Sequence, residues 1–430
     1  ITYVLNRKNT VTGVVYRDDK AILAWETGNE LKSPAPWVEQ ITAHIKSLDS
    51  NHLVLDGTHR EVLLQSSLDN PNVDLVTTHH YEKDPRAMIA HVRQSAEMAR
   101  GKKPYFLGEF GFLGTDALCA VMDAAVEEKL AGALLWSLRY RSRDGGFYWH
   151  HEPAGGDYFK AYHWPGFPIG EVFDERGLMR QVRQRAFAIR GLIPPSLPRP
   201  AVPRLLSVTA GTLMNWQGSV GAESYIVQRA EASNGPWAAV GTGVCEAQVQ
   251  YRPSFSDESV QPGRRYFYRV IARNSEGLSE PSNVVGPVDV THRTMVDELW
   301  NDSRIFVKEG KLGFAQNEAR KFKEDCHRLA GVARSFVIYY VPGGIRAARA
   351  FVFTQSDQPA VRVFFSKNGQ TFEPVDMATQ GTATYGEDTY GFWKARLCSA
   401  NPAAECSYVK IEFLTEAQLS RIEIDYAPAN

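Results

Sequence analysis

Two glutamates stand where strand-like apolar runs give out: Glu30 at the end of "AILAWETGNE", beside Asn29, and Glu109 in "KPYFLGEFG". A strand apolar on both faces belongs to a parallel sheet covered by helices, and ligands bind at the carboxyl ends of such strands. Paired carboxylates at two strand ends suit the cleavage of a glycosidic bond. One gives a proton to the leaving oxygen, the other attacks the anomeric carbon, and their surroundings set the two proton affinities apart. An amide beside one of them, Asn29, suits a bond to a sugar hydroxyl. His79 and Tyr81 lie two apart in "LVTTHHY" and share one side of a strand, with His80 on the other. Trp136 closes the apolar run "GALLWSL".

The elements that must position these residues alternate. "WVEQITAHIKSLD", "REVLLQSSLD", "PRAMIAHVRQSAEMARG", "DALCAVMDAAVEEKLA" and "DERGLMRQVRQRAFAIRG" carry helical spacing, and "HLVLDG", "VDLVTTHHY", "KPYFLGEFG" and "GALLWSL" read as strands between them. Repeated strand–helix units over residues 1–197 predict a parallel sheet, open or closed into a barrel. The proline-rich "LIPPSLPRPAVPRL" reads as a linker. Beyond it "LMNWQ", "SYIVQRA" and "RYFYRVIARN" read as short strands anchored by Trp216, Tyr225 and Tyr266. In residues 291–430, "RSFVIYYVP", "ARAFVFTQ", "AVRVFFSKNG", "YVKIEFLT" and "LSRIEIDYAP" predict further strands, with an Asn-Gly hairpin turn in "SKNGQTFEPV".

Composition narrows the classes. The 430 residues are 43% hydrophobic and 23% charged, too many for one core, and a formal net charge of −1 gives no reason to expect nucleic acid or an anionic membrane as partner. No apolar run reaches the roughly 18 to 20 residues of a membrane span. The five cysteines include no CxxC pair, and no metal or organic cofactor is expected. Cys398 and Cys406 are close enough in sequence to form a disulfide or to remain two buried thiols, and Cys119 reads as helix packing.

The stretches "RKNTVTGVVYRDDKAILAWETGNEL", "LDSNHLVLDG", "HHY", "KPYFLGEFG" and "GALLWSL" occur in the order seen in glycoside hydrolase family 5, and residues 1 to about 195 resemble its endo-β-mannanase branch. The resemblance implies a (β/α)8 barrel, with Glu30 as general acid/base, Glu109 as nucleophile and Asn29 on the sugar 2-hydroxyl. It implies that Tyr81 donates to Glu109, that His79 lines the sugar pocket and that Trp136 forms an aromatic floor. Leu31 departs from the family, which has proline after Asn-Glu. Residues 198–290 resemble a fibronectin type III domain, and residues 291–430 resemble the jelly-roll modules of secreted carbohydrate enzymes, with a carbohydrate-binding or a structural role.

The expected protein is a secreted or periplasmic, monomeric, retaining β-glycosidase acting on β-1,4-mannan or a related polysaccharide or oligosaccharide. A β-glucanase, an exo-acting β-mannosidase or a non-catalytic carbohydrate-binding protein remain alternatives. Only five strands are counted against the family's eight, so the barrel is expected to be incomplete, with roughly 100 to 180 further residues upstream including a signal peptide, and the chain by itself less stable and inactive. Trp149, His150 and His151, in the aromatic loop after Trp136, stand between subsite and packing roles. His59, after "LDGT", stands at a strand end and is a weaker candidate for the edge of the cleft, and Glu26 reads as a residue of the barrel interior.

Overall fold

The computed structural model describes every residue except 59, 149–161, 168–173, 248–251, 324, 382–391 and 429–430. It forms two compact units, one of Ile1–Leu138 with Arg180–Pro194 and one of Arg139–Met179 with Pro195–Asn430. Residues 139–179 thus group with the second unit. No described helix is long and apolar enough to cross a membrane.

The first unit runs β1 (Ala24–Glu26), α1 (Ala35–Leu48), β2 (Leu53–Leu55), β3 (Val76–His80), α2 (Pro85–Ala99), β4 (Tyr105–Phe110), α3 (Thr115–Glu127) and β5 (Gly132–Leu135). The α2 helix shows why the sequence folds locally. The Asp84 side chain accepts from the Arg86 N–H, Pro85 stands at the first turn where no N–H is needed, and Gly101 follows the last turn with φ of 71°. Met88, Val92, Ser95, Ala96 and Ala99 form its buried face, at helical spacing. The helix expected over "REVLLQSSLD" shrinks to Gln65–Asp69. Its first residues bond elsewhere: the Leu63 N–H donates to Ser95 Oγ and the Arg60 carbonyl accepts from the His79 N–H.

Strands adjacent in sequence are adjacent in space and all parallel. β1 pairs β2, a single bridge joins Leu55 to Leu75 at the start of β3, β3 pairs β4, and β4 pairs β5. Among the described residues, β1 and β5 each pair on one side. Behind β1 and β2, Leu5, Ile45 and Val54 form a small core with Trp25, whose indole N–H donates to Asp49.

In the second unit, strands of residues 204–217 and 255–256 face those of 224–244 and 265–289 across a core holding Trp216, Tyr225 and Tyr266. Strands Leu213–Gln217, Ser224–Ala230 and Arg265–Asn274 coincide with the sequence expectation. A larger antiparallel pair of sheets spans residues 293–428 around Val337, Tyr339, Val363, Ile411, Leu419 and Ile424. A buried ion pair, Arg252 to Asp325 at 3.1 Å, and a bond from Arg421 to the Pro253 carbonyl tie the two sheet pairs together. All five cysteines are free thiols, Cys398 and Cys406 included.

The carboxyl ends of β1 and β2 approach closely at Gly57: a Cβ there would stand 1.6 Å from the Gly28 carbonyl oxygen. Gly57→Ala is therefore expected to lower unfolding free energy by about 1–3 kcal/mol. Gly132→Ala, whose Cβ would meet nothing closer than 4.0 Å, serves as the control in urea titrations.

Candidate active site

β1 ends at Glu26, four residues before Glu30. The chain then leaves the sheet and returns: the Thr27 N–H donates to the Leu55 carbonyl, the Leu31 N–H donates to the Gly57 carbonyl at 2.9 Å, and Leu31 bridges Thr58. A proline at position 31 would lack that N–H, so the family departure fits the observed loop. Between these anchors Glu30 holds a left-handed backbone, φ 54°, which is uncommon for a residue other than glycine. Asn29 and Glu30 are exposed.

Glu109 reaches the same rim through an irregularity. In the β3–β4 pairing Thr78 lies opposite Leu107 but His79 opposite Glu109, so Gly108 is one extra residue in β4. Such a bulge re-aims the side chains that follow it. Tyr105 and Leu107 are buried on one face of β4 and Phe110, after the bulge, is buried as well, while Glu109 turns toward His79. Glycine is required at the bulge, since a Cβ there would stand 2.3 Å from Thr77 Oγ1 and 2.9 Å from the His79 ring.

His79 is the centre of the cluster. Its Nδ1 lies 2.9 Å from Glu30 Oε1 and 3.5 Å from Glu109 Oε2. An imidazole nitrogen facing two carboxylate oxygens carries the proton and donates it. The Tyr81 hydroxyl donates to Glu109 Oε2, and the Tyr81 ring stacks on Phe112 with centroids 4.7 Å apart. Trp136 follows β5, where its N–H donates to the Phe110 carbonyl. The structure therefore joins Glu30, His79, Tyr81 and Glu109 by side-chain contact, Trp136 through its backbone and Asn29 through its neighbour. His59, Trp149, His150 and His151 lie outside the described residues.

Glu30, His79 and Glu109 each offer a ligand atom, all within 4.8 Å of one another, so a single cation would fit only with Nδ1 stripped of its proton. Sequence reasoning missed the bridging position of His79. Glu26, expected in the barrel interior, instead ends β1 as an exposed residue; partial loss of water around its carboxyl still raises its pKa, His79 opposes this, and the charges of Glu109 and Asp56 add to the rise.

The opposite face of β3 is polar as well. His80 Nδ1 and His91 Nδ1 lie 3.1 and 2.8 Å from Glu82 Oε1. A carboxylate only accepts, so both histidines donate. The other His80 ring nitrogen lies 2.8 Å from the Thr78 hydroxyl, which is in turn hydrogen-bonded to the Tyr105 hydroxyl. This chain anchors the residue that follows Tyr81.

In sequence, residues 1–112 match the family model of "GH family 5 beta-mannosidase-like" proteins. The N-terminal segment is thus similar to glycoside hydrolases of family 5. Among individual proteins, it is 32% identical to mannan endo-1,4-beta-mannosidase 7 of Arabidopsis thaliana, over 26% of this chain and 35% of that protein. It is 33% identical to mannan endo-1,4-beta-mannosidase 1 of Oryza sativa subsp. japonica, over 25% and 34%. The chain spans about a third of the length of these relatives. The glycoside hydrolase family 5 mannosidase from Rhizomucor miehei superposes with a TM-score of 0.36 at 17% identity, covering 44% of this chain and 57% of that one. Bacteroides uniformis beta-glucuronidase 2 gives 0.34 at 12% identity, covering 95% and 54%.

Burial works to raise the Glu82 pKa, but the hydrogen bonds from His80 and His91 outweigh it and hold the carboxyl down at about 2. Below its unfolded value of 4.5 the unfolded chain takes up a proton that the folded one refuses, so this carboxylate stabilises the fold above that pH and the contribution is lost as pH falls toward 2. Its full size is about 3 kcal/mol. Glu82→Ala should destabilise the protein at pH 7, and the gap to wild type should narrow between pH 5 and 3 in denaturant titrations; a pH-independent gap would refute the coupling.

Proposed function

We propose that the first unit is the catalytic part of a retaining β-glycosidase that hydrolyses β-1,4-mannan or a closely related β-linked polysaccharide. Its five parallel strands are then a portion of a (β/α)8 barrel, the sheets of residues 204–289 a fibronectin type III-like domain, and those of 293–428 a second β-sandwich. The observation that carries the proposal is the meeting of Glu30 and Glu109 on one histidine, with ligand atoms of all three within 4.8 Å. That closeness favours the retaining geometry, with carboxyl groups about 5–5.5 Å apart, over the roughly 6.5–9.5 Å of inverting enzymes, which leave room for a water. The relatives named mannan endo-1,4-beta-mannosidases direct the choice of sugar.

In the proposed reaction, ionised Glu109, held by the Tyr81 hydroxyl, attacks the anomeric carbon as the bond to the leaving oxygen breaks. Glu30 supplies the proton to that oxygen. The His79 N–H engages Oε1 of Glu30, which leaves Oε2 to carry and deliver the proton. In the second step Glu30, now ionised, takes a proton from water as the water displaces Glu109, and the original configuration returns. Asn29 holds the sugar 2-hydroxyl and Trp136 supports the ring at the cleavage point. A polymeric plant polysaccharide is met outside the cell, so secretion accompanies this activity.

In the protein as it occurs, Glu109→Gln is expected to reduce turnover by about a thousandfold or more on every substrate. Glu30→Ala should spare aryl glycosides whose leaving group needs no proton, and equal losses on both substrate types would remove Glu30 from the acid role. Proton spectroscopy of the products should show the β-anomer first; the α-anomer first would overturn the retaining mechanism.

A further inference from the structure

The second sandwich carries an aromatic surface that the proposed reaction does not use. One of its sheets is built from Val307–Glu309, Phe336–Tyr340, Tyr408–Phe413, Val361–Ser366 and Glu373–Pro374. Val337, Tyr339, Val409, Ile411, Val363 and Phe365 are buried in the core, so alternation turns Tyr340, Tyr408, Lys410 and Phe364 to the other face. An outward face of an antiparallel sheet is ordinarily polar. Here Phe306 is 58% exposed and Tyr340 45% exposed, and half-buried Tyr408 lies opposite Tyr340 in register.

The three rings form one cluster. Centroids of Tyr340 and Tyr408 are 4.9 Å apart, and Phe306 stands 5.9 Å from the first and 5.6 Å from the second, with the planes tilted by 40°, 47° and 62°. The Asn-Gly turn is packed against this cluster. Gly369, at φ 73°, lies so close to Tyr408 that a Cβ would stand 3.1 Å from its ring carbons. Asn368 Oδ1 accepts from the N–H groups of Gln370 and Thr371, which makes the turn rigid. Two neighbouring lysines are paired, Lys308 with Asp302 at 2.7 Å and Lys410 with Glu412 at 3.1 Å, and Lys410 also sits 4.0 Å over the Phe364 ring. Lys367, in the turn beside Tyr408, is exposed, so the anionic polymer in the test below is the control for a charge-driven interaction.

We propose that Phe306, Tyr340 and Tyr408 are a binding surface for an uncharged β-linked polysaccharide chain; the choice of polymer rests on the proposed glycosidase activity, the surface itself does not. Aromatic rings with exposed faces take the C–H face of a sugar ring, and the tyrosine hydroxyls at the edge can bond its hydroxyls. A protein partner fits less well. Three half-exposed rings offer roughly 300 Å² of apolar surface, well below the about 800 Å² per side of a stable protein interface.

The test is affinity electrophoresis of the full chain in gels containing soluble galactomannan, an uncharged β-glucan or anionic polygalacturonate. Retardation is expected in at least one neutral β-linked polymer, reduced about tenfold or more in affinity by Phe306→Ala and by Tyr340→Ala. Tyr340→Phe keeps the ring and should keep most of the binding, which separates ring loss from misfolding. Wild-type protein unretarded by every neutral polymer, retardation in polygalacturonate alone, or equal retardation of wild type and both alanine variants would each overturn the surface. So would a self-associated species in sedimentation that Tyr340→Ala dissociates. Ring-dependent retardation without hydrolysis of any substrate would leave this surface standing and remove the glycosidase; hydrolysis without ring-dependent retardation would do the reverse.

Discussion

The pairing of β3 with β4 is the constraint on which the site depends. A parallel ladder fixes which residue lies opposite which, and the extra residue at Gly108 sets His79 against Glu109 instead of one place earlier. A one-residue slip in a strand sends every later side chain to the other face. Without the bulge, Glu109 would follow Tyr105 and Leu107 into the packed side of the sheet. There a carboxylate would be desolvated with no partner, at a cost of several kcal/mol. With it, Glu109 meets the Tyr81 hydroxyl and the His79 N–H.

β3 itself is polar on both faces, which is unusual for a fully buried strand. Its residues from Val76 to His80 are all buried, and buried polar groups are tolerated when hydrogen-bonded. His79 turns to the two carboxylates; Thr78 and His80 turn to Tyr105 and Glu82 on the other side. Burial raises the Tyr105 pKa to about 12, so it stays a neutral hydroxyl at the end of that chain. Thr77 Oγ1 and Glu82 Oε2 are buried without a hydrogen-bond partner among the described residues, but the bonds made by Thr78, His79 and His80 hold the strand from both faces, and a held strand is what places a histidine between two carboxylates with the accuracy that proton transfer needs.

The second unit follows a different logic. Its two sheet pairs bury aromatic anchors such as Trp216 and Tyr339 inward and carry ion pairs such as Arg349 with Asp425 and Glu423 across two central strands of the larger sheet. Against that pattern the exposed rings of Phe306 and Tyr340 stand out, because an apolar ring left in water contributes nothing to the fold that a polar residue would not.

Local chemistry was legible in the sequence alone. Helical spacing marked α1, α2 and α3, alternation marked the strands 213–217, 224–230 and 265–274 to the residue, and Gly101 marked where α2 stops, since each depends on neighbours along the chain. The apolar runs leading to Glu30 and Glu109, and the two-residue spacing of His79 and Tyr81, were visible for the same reason. What only the tertiary structure decided is which of these meet. That β1 stops at Glu26 and Glu30 sits on a left-handed loop residue follows from bonds to β2. The short helix at Gln65–Asp69 follows from bonds to β3 and α2, and the thiols of Cys398, on a strand, and Cys406, in the connection after it, remain free. The turn of Glu109 toward His79 comes from a bulge that no periodicity announces, because strand register is set by the partner strand, and the partner lies about 30 residues away in sequence.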